Sequence, residues 1–150
     1  MIEGSKEIVD EVDGFATDQF RNRDMLDGYA GLARELLEQL HGRIDAFCAY
    51  VGTSGCFVGI TRELRRTLPE LHRIAIEPAE SSVLSGGEPG AHRIEGGGSG
   101  FWPPILERSD FDEVRTVSTE DAQLARELGG GKRVVTPLVD SGLKYLRGDL

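Results

Sequence analysis

The residues best suited to chemistry lie in one short turn, Val51-Gly52-Thr53-Ser54-Gly55-Cys56, between an apolar segment and a helical pattern. Glycines let the backbone turn tightly and approach a ligand closely. The first N–H groups of a helix have no partner within it, and the helix dipole favours an anion beside them. With the hydroxyls of Thr53 and Ser54, the turn predicts a cradle for a phosphate or carboxylate. The alternative is a glycine-rich turn without a ligand, because such a turn alone is a weak signal.

Two better-known motifs do not fit this turn. A Walker A loop would continue with Gly-Lys-Ser or Gly-Lys-Thr, and no such residues follow here. A nucleophile elbow would have glycine in place of Cys56, and its histidine would follow its aspartate, whereas His72 and His92 precede Asp140. Cys56 at a helix N-terminus would have a lowered thiol pKa if exposed, or it would be a small buried residue.

Three other segments are candidates, each with a simpler alternative. The loop Gly96-Gly97-Gly98-Ser99-Gly100 could bring backbone amides to a ligand, or it is a flexible surface loop. Gln19, in a polar loop, could hydrogen-bond a substrate carboxylate, or it is simply solvated. Asp140-Ser141-Gly142 follows the last predicted strand, where it meets a ligand or caps a helix. The three histidines are scattered without metal-ligand spacing, so no metal site is expected.

Hydrophobic patterning predicts the elements that position the turn. Residues 44–51 become apolar without alternation, which is typical of a strand covered on both faces in a parallel sheet. Amphipathic spacing predicts helices from Tyr29 to Leu40 and from the turn to about Leu68, and residues 73–77 then complete a β-α-β unit. The remaining predictions are a helix over 2–12, a strand over 113–117, a helix over 119–128 and a strand over 133–139. Arg62, Arg65 and Arg66 are expected to form a solvated helix face.

Length and composition predict one α/β domain over residues 1–150, a three-layer open, mostly parallel sheet with helices on both faces. The chain is 39% hydrophobic and 29% charged, an ordinary globular balance. Its formal net charge of −9 argues against binding nucleic acid or an anionic membrane surface. No apolar run is long enough to span a bilayer. Two cysteines, Cys48 and Cys56, are too few for a disulfide framework and favour the reducing cytoplasm.

Several short motifs also occur in a fixed order along most of the chain. They are Asp18-Gln19-Phe20, Val51 to Gly55, Glu77 to Ser81, Val83 to Gly87, Pro89-Gly90-x-His92, Gly96 to Phe101, Asp112 to Val114, Val134 to Thr136 and Asp140 to Leu146. In this order they resemble the C-terminal part of the cysteine synthase-like enzymes. These are pyridoxal-phosphate enzymes of the tryptophan-synthase-β fold type, which replace the β-substituent of an activated serine such as O-acetylserine with sulfide.

The resemblance implies roles for individual residues. The cofactor phosphate would be bound by Gly52, Thr53, Ser54, Gly55 and Cys56. The substrate carboxylate would contact Gln19, and the loop containing Gly96 and Gly98 would lie beside cofactor and substrate. The family usually has glycine and threonine where this chain has Ser54 and Cys56, so position 56 loses a hydroxyl donor and position 54 gains bulk.

Two departures from the family pattern bear on activity. The family's Schiff-base lysine lies in an N-terminal segment without a counterpart here, and the only lysines are Lys6, Lys132 and Lys144. A second gap falls after Ala122, where the family has a Gly-x-Ser-Ser-Gly motif whose serine contacts the pyridine nitrogen. We therefore expect the chain to be inactive by itself. Its expected partners are a small amino-acid substrate and either a second copy of the chain in a homodimer or a complementing chain. The alternative is a non-catalytic phosphate-binding or partner-binding module. An exposed apolar patch is expected where the missing segment would pack.

Overall fold

The computed structural model describes residues 2–94, 96–118 and 134–135 of the chain. Its helices are α1 (Ile2–Glu11), α2 (Met25–Gln39) and α3 (Gly55–Thr67), and short 3-10 turns cover Ala79–Ser81, Val83–Ser85 and Arg108–Asp110. Its strands are β1 (Ala46–Tyr50), β2 (His72–Pro78), β3 (Glu113–Val117) and β4 (Val134–Val135).

These bounds confirm most of the elements that the hydrophobic pattern predicts. The strand predicted over 113–117 matches β3, and α2 begins four residues before the predicted start at Tyr29. The helix predicted over 119–128 and the Asp140-Ser141-Gly142 segment lie outside the described residues. Only the two residues of β4 are described from the predicted strand over 133–139.

The sheet is open and parallel, as predicted. Its order is β3-β2-β1-β4, and each neighbouring pair runs parallel. β1 lies inside the sheet, with Cys48 opposite Ile74 of β2 and Ala46 opposite Val134 of β4. Residues 46–49 are at most 3% exposed, which explains why this strand carries no polar alternation.

Helix α3 connects β1 to β2 and is anchored by its apolar face. Phe57, Ile60 and Leu64 are fully buried, and the Phe57 ring lies 6.1 Å from that of Phe47 in β1. Burial of each such side chain stabilises the fold by about 1.5–3 kcal/mol. The packing sets the N-terminus of α3 beside the carboxyl end of β1.

Helix α2 packs closely on α3 because two residues of α3 lack side chains. A Cβ atom on Gly55 would collide with the Met25 sulfur, and one on Gly59 would lie 2.6 Å from the Tyr29 Cβ. Ala33 of α2 is fully buried. The first turn of α3 is therefore held from the side opposite the sheet.

Two arginines, one on β2 and one on α3, form ion pairs with the segment before β3. Arg73 of β2 donates to both carboxylate oxygens of Asp112, at 3.0 and 2.7 Å, and to the Ser109 carbonyl at 2.7 Å. Arg62 of α3 donates to the buried Asp110 at 2.6 and 2.8 Å. The prediction that Arg62 belongs to a purely solvated face is thus wrong, since its guanidinium pairs with a carboxylate 48 residues away.

The Arg73–Asp112 pair makes stability depend on pH at the acid end. The Arg73 guanidinium lowers the pKa of Asp112 from 3.8 to about 2. A folded-state pKa below the unfolded value stabilises the protein above the unfolded pKa, and this contribution is lost as pH falls through the folded pKa. Because solvent screens the exposed Asp112 carboxylate, we expect Asp112→Asn to lower the free energy of unfolding at pH 7 by about 1 kcal/mol and to flatten its decline between pH 4 and pH 2. Urea denaturation across that pH range measures both, and parallel curves for the two proteins would contradict the assignment.

Apolar side chains are exposed at the N-terminal end of the described chain. Ile8, Val12 and Phe15 are 61%, 65% and 82% exposed, so α1 and the loop after it carry exposed apolar surface. The apolar patch expected where the missing segment would pack on the sheet stays a prediction. Within the described residues, no helix has both the length and the apolar character needed to cross a bilayer.

We expect the purified chain to associate through the exposed apolar surface of α1 and the following loop, because surface of this kind favours contact with other chains. Sedimentation velocity should show oligomers that increase with protein concentration, together with fluorescence from a hydrophobic dye. Phe15→Ser should reduce both signals, whereas Thr17→Ser in the same loop should leave them unchanged. A wild-type chain that stays monomeric and binds no dye would contradict this expectation.

Candidate functional site

The turn between β1 and α3 has an unusual backbone conformation. Ser54, the residue before the helix, has φ +72°, in the left-handed region that favours glycine. It is 3% exposed, and its hydroxyl donates to the Thr53 carbonyl at 2.5 Å. The sequence predicts that this hydroxyl serves an anion. The structure instead directs it to the adjacent backbone, because the left-handed φ leaves the side chain buried.

The backbone amides at the start of α3 are available to a ligand. The first helical hydrogen bond runs from the Val58 N–H to the Ser54 carbonyl, at 2.9 Å. The N–H groups of Gly55, Cys56 and Phe57 have no acceptor among the described residues. Three unpaired donors at a helix N-terminus form an electropositive site suited to a phosphate or carboxylate.

The Cys56 side chain does not add a reactive thiolate to this site. Cys56 is partly buried, and burial raises the pKa of its thiol. Of the two interpretations from sequence, the structure favours the small buried residue over the activated thiol. Cys56 thus contributes its backbone N–H to the site.

The glycine loop, residues 96–100, packs directly on this turn. A Cβ atom on Gly52 would collide with the Gly96 carbonyl oxygen, and the Gly98 N–H donates to the Val51 carbonyl at 3.2 Å. Gly96, Gly98 and Gly100 all have positive φ, between +61° and +84°. The turn and the glycine loop, which lie 40 residues apart in the sequence, are therefore adjacent and form one site.

Tyr50 and His92 support the glycine loop, a role that the sequence analysis assigns to neither. A Cβ atom on Gly97 would collide with the Tyr50 ring, so the loop backbone lies on that ring. The His92 Nε2 lies 2.8 Å from the Gly98 carbonyl oxygen. Burial, with a smaller effect from Glu80, raises the pKa of Tyr50 to about 12, so its phenol stays protonated. The position of Tyr50 at the end of a buried strand, just before the turn, is the signal that could have identified it.

Glu77 organises the segment after β2. It is 3% exposed, and its carboxylate accepts the N–H groups of Leu84 and Ser85 at 2.7 and 2.9 Å and the Ser85 hydroxyl at 2.5 Å. Charge-assisted bonds of this kind are stronger than neutral ones. An acidic residue at the end of an apolar strand, directly before Pro78, is the sequence signal for this role.

Gln19 approaches the same region only indirectly. It lies exposed in a turn, and no hydrogen bond joins it to Gly96 or Gly98 among the described residues. The ring of its neighbour Phe20 lies 5.2 Å from that of Phe101, which directly follows the glycine loop. The structure therefore brings the Gln19 loop beside the end of the glycine loop without such a hydrogen bond.

The donor set fits the phosphate of pyridoxal phosphate but supplies no cationic side chain. The unpaired N–H groups belong to consecutive residues of one helical turn, and the preceding Gly52 lacks a side chain that would block approach. Between turn and glycine loop lies a cavity of about 10 Å³, which holds one water molecule at most. A cofactor would therefore lie on the open side of the turn.

Comparisons with known proteins give a consistent result. A family model described as pyridoxal-phosphate dependent enzyme matches residues 2–140. The chain is 36% identical to the cysteine synthase of Staphylococcus aureus strain Mu50, in a match that covers 97% of this chain and 56% of the relative. It is 39% identical to the cysteine synthase of Helicobacter pylori strain 26695, over 80% of this chain and 40% of the relative. The crystal structure of O-acetyl serine sulfhydrylase isoform 3 from Entamoeba histolytica is similar with a TM-score of 0.87 and 28% identity, over 97% of this chain and 52% of that one.

The chain spans about half the length of the curated relatives it matches. The match to the S. aureus protein extends over 174 positions, more than the 150 residues here, so that relative has residues within the matched span that this chain lacks. An internal gap is thus confirmed, and its position after Ala122 stays a prediction. The structural similarity confirms the fold type expected from the resemblance.

The contact between turn and loop gives a test of the phosphate site. Gly52→Ala should weaken binding of pyridoxal phosphate and inorganic phosphate by about tenfold or more, because the added methyl group would push the glycine loop away. Gly28→Ala is the matched control: nothing lies within 4 Å of its Cβ position on α2, and it should stabilise the fold by about 0.5–1 kcal/mol without changing binding. Equilibrium dialysis and thermal unfolding measure these effects, and equal ligand affinities in the two variants would refute the placement.

Proposed function

This chain belongs to the family of pyridoxal-phosphate dependent enzymes, and we propose that it forms the phosphate-binding part of a cysteine synthase-like enzyme. The proposed reaction replaces the β-acetoxy group of O-acetylserine with sulfide: the bond from the β-carbon to oxygen breaks, a bond from the β-carbon to sulfur forms, and L-cysteine and acetate result. The observation that carries the proposal is the set of three unpaired amides at the start of α3, with the glycine loop packed beside them.

The residues from Gly52 to Cys56 would hold the cofactor phosphate. The N–H groups of Gly55, Cys56 and Phe57 donate to its oxygens, and Thr53 offers a hydroxyl at the same turn. The helix dipole favours the negative charge, so binding needs no arginine or lysine from this chain. When bound, pyridoxal phosphate supplies an electron sink for negative charge on the substrate α-carbon.

The substrate would lie between the glycine loop and the Gln19 loop. Gln19 is proposed to hydrogen-bond the substrate carboxylate, and Gly96 and Gly98 allow close approach because they lack side chains. The Phe20–Phe101 contact holds the two loops together and supports this arrangement. The proposed substrate is thus a small amino acid, and the proposed compartment is the cytoplasm.

Residues 1–150 are proposed not to turn over substrate by themselves. Such enzymes need a lysine that bonds the cofactor and moves the α-proton. The lysines of this sequence are Lys6, Lys132 and Lys144, and none lies in a segment that matches the family's lysine. We propose that this lysine is supplied by polypeptide outside residues 1–150, in the same protein or in a complementing chain, and that the assembled protein is dimeric.

A non-catalytic phosphate-binding module is the second candidate function. Two departures in the turn favour it: the Ser54 hydroxyl is occupied by the Thr53 carbonyl, and Cys56 offers no hydroxyl. Both changes leave the backbone amides in place, so this chain would bind phosphate without catalysing the reaction.

Spectroscopy with pyridoxal phosphate tests the proposed function. The 150-residue chain should bind the cofactor through dialysis, without the absorbance band of a lysine-bound cofactor and without attachment after borohydride reduction. It should form no cysteine from O-acetylserine and sulfide.

Other outcomes have distinct meanings. Addition of the N-terminal part of the S. aureus cysteine synthase should restore some activity, whereas binding with no activity in any combination would favour the module. Attachment to one defined lysine of this chain would overturn the claim that the lysine comes from elsewhere. If no cofactor binds at all, the proposed phosphate site is wrong.

A further inference from the structure

Three buried side-chain atoms lack hydrogen-bond partners among the described residues. They are the Tyr50 hydroxyl, the Ser81 hydroxyl and the Nδ1 of His92. Buried polar groups are nearly always paired, because an unpaired one costs about 1–3 kcal/mol. Three such atoms in one region therefore need a physical explanation.

All three lie against the glycine loop, from different sides. The Tyr50 ring packs under Gly97, and the His92 ring contacts Gly98 through its Nε2. Ser81 is 1% exposed and lines the small cavity shared with residues 98–100. Because the His92 Nε2 faces a carbonyl oxygen, it carries the ring proton, which leaves Nδ1 as an acceptor without a donor.

The loop itself is weakly attached in this conformation. Among the described residues, the hydrogen bonds of the loop both involve Gly98: its N–H donates to the Val51 carbonyl, and its carbonyl accepts from His92. The Gly98–Val51 bond is long, at 3.2 Å, and three of the five loop residues have positive φ. A segment with few bonds, glycine-only backbone angles and unpaired neighbours has little holding it in one position.

We propose that the glycine loop has a second, ligand-bound position in which the Tyr50 hydroxyl donates a hydrogen bond to the loop backbone, so that Tyr50 is a positioning residue for the site. This inference rests on the proposed function. A ligand shifts such an equilibrium only if it interacts differently with the two positions. The contact of Gly52 with Gly96 would transmit that difference, because the turn that takes the anion touches the loop backbone.

Tyr50→Phe tests the role of the hydroxyl while keeping the volume of the ring. Without ligand, the variant should unfold at a higher urea concentration than the wild type, since it lacks a buried unpaired hydroxyl. With pyridoxal phosphate, its affinity should be about fivefold to tenfold weaker, since the bond formed in the bound position is lost. Tyr29→Phe, on α2 and away from the loop, is the matched control and should change neither quantity.

Hydrogen exchange on the wild-type chain separates this inference from the proposed function. Addition of pyridoxal phosphate, or of inorganic phosphate, should slow amide exchange in residues 96–100, and Tyr50→Phe should reduce that slowing. Binding by dialysis without any change in loop exchange would overturn the second position alone. Earlier unfolding of Tyr50→Phe without ligand would also overturn it, because the hydroxyl would then be paired in the free protein. Failure of the wild type to bind either ligand would refute both proposals.

Discussion

The close contact between two stretches of bare backbone is the constraint on which the site depends. Gly52 meets the Gly96 carbonyl with no room for a methyl group, and Gly97 rests on the Tyr50 ring. The surrounding elements hold these surfaces in place. The turn directly follows β1, α2 packs on α3 from the side opposite the sheet, and Glu77 hydrogen-bonds the segment that leads to the loop. Each support acts on backbone position, which suits a site whose donors are backbone amides.

The distribution of charge also suits a site whose donors are backbone amides. The partly buried ion pairs of Arg73 with Asp112 and Arg62 with Asp110 lie around the segment before β3, where they join β2 and α3 to the rest of the fold. The turn at the start of α3 instead offers partial positive charge from the peptide dipoles. In a chain with a net charge of −9, this arrangement would let the proposed phosphate site attract an anion without a cationic side chain from the described residues.

The sequence was most informative where backbone geometry and burial decide the outcome. The unbroken apolar run of β1 predicts an interior parallel strand, and the glycines after it predict a tight turn. The strand-end positions of Glu77 and Tyr50 mark them in the sequence, but the partners of Glu77, Tyr50 and Arg62 could not be derived, because each partner lies farther along the chain or is a neighbouring backbone. The hydrogen bond from the Ser54 hydroxyl to the Thr53 carbonyl could not be predicted either. Ser54 has a left-handed φ, a conformation that one expects from sequence only at glycine. Resemblance to a family supplied the cofactor, which spacing alone left as an unspecified anion.

The strand order has a consequence for how the molecule assembles. β1, α3 and β2 follow one another closely in sequence, so their mutual contacts close short loops and can form early, whereas residues 79–112 separate β2 from β3. β4 must return past β2 to pair with the other side of β1, at Ala46 and Phe47. We therefore expect the β1–α3–β2 unit, with the anion-binding turn already shaped, to be the folding nucleus, while the β1–β4 edge closes last.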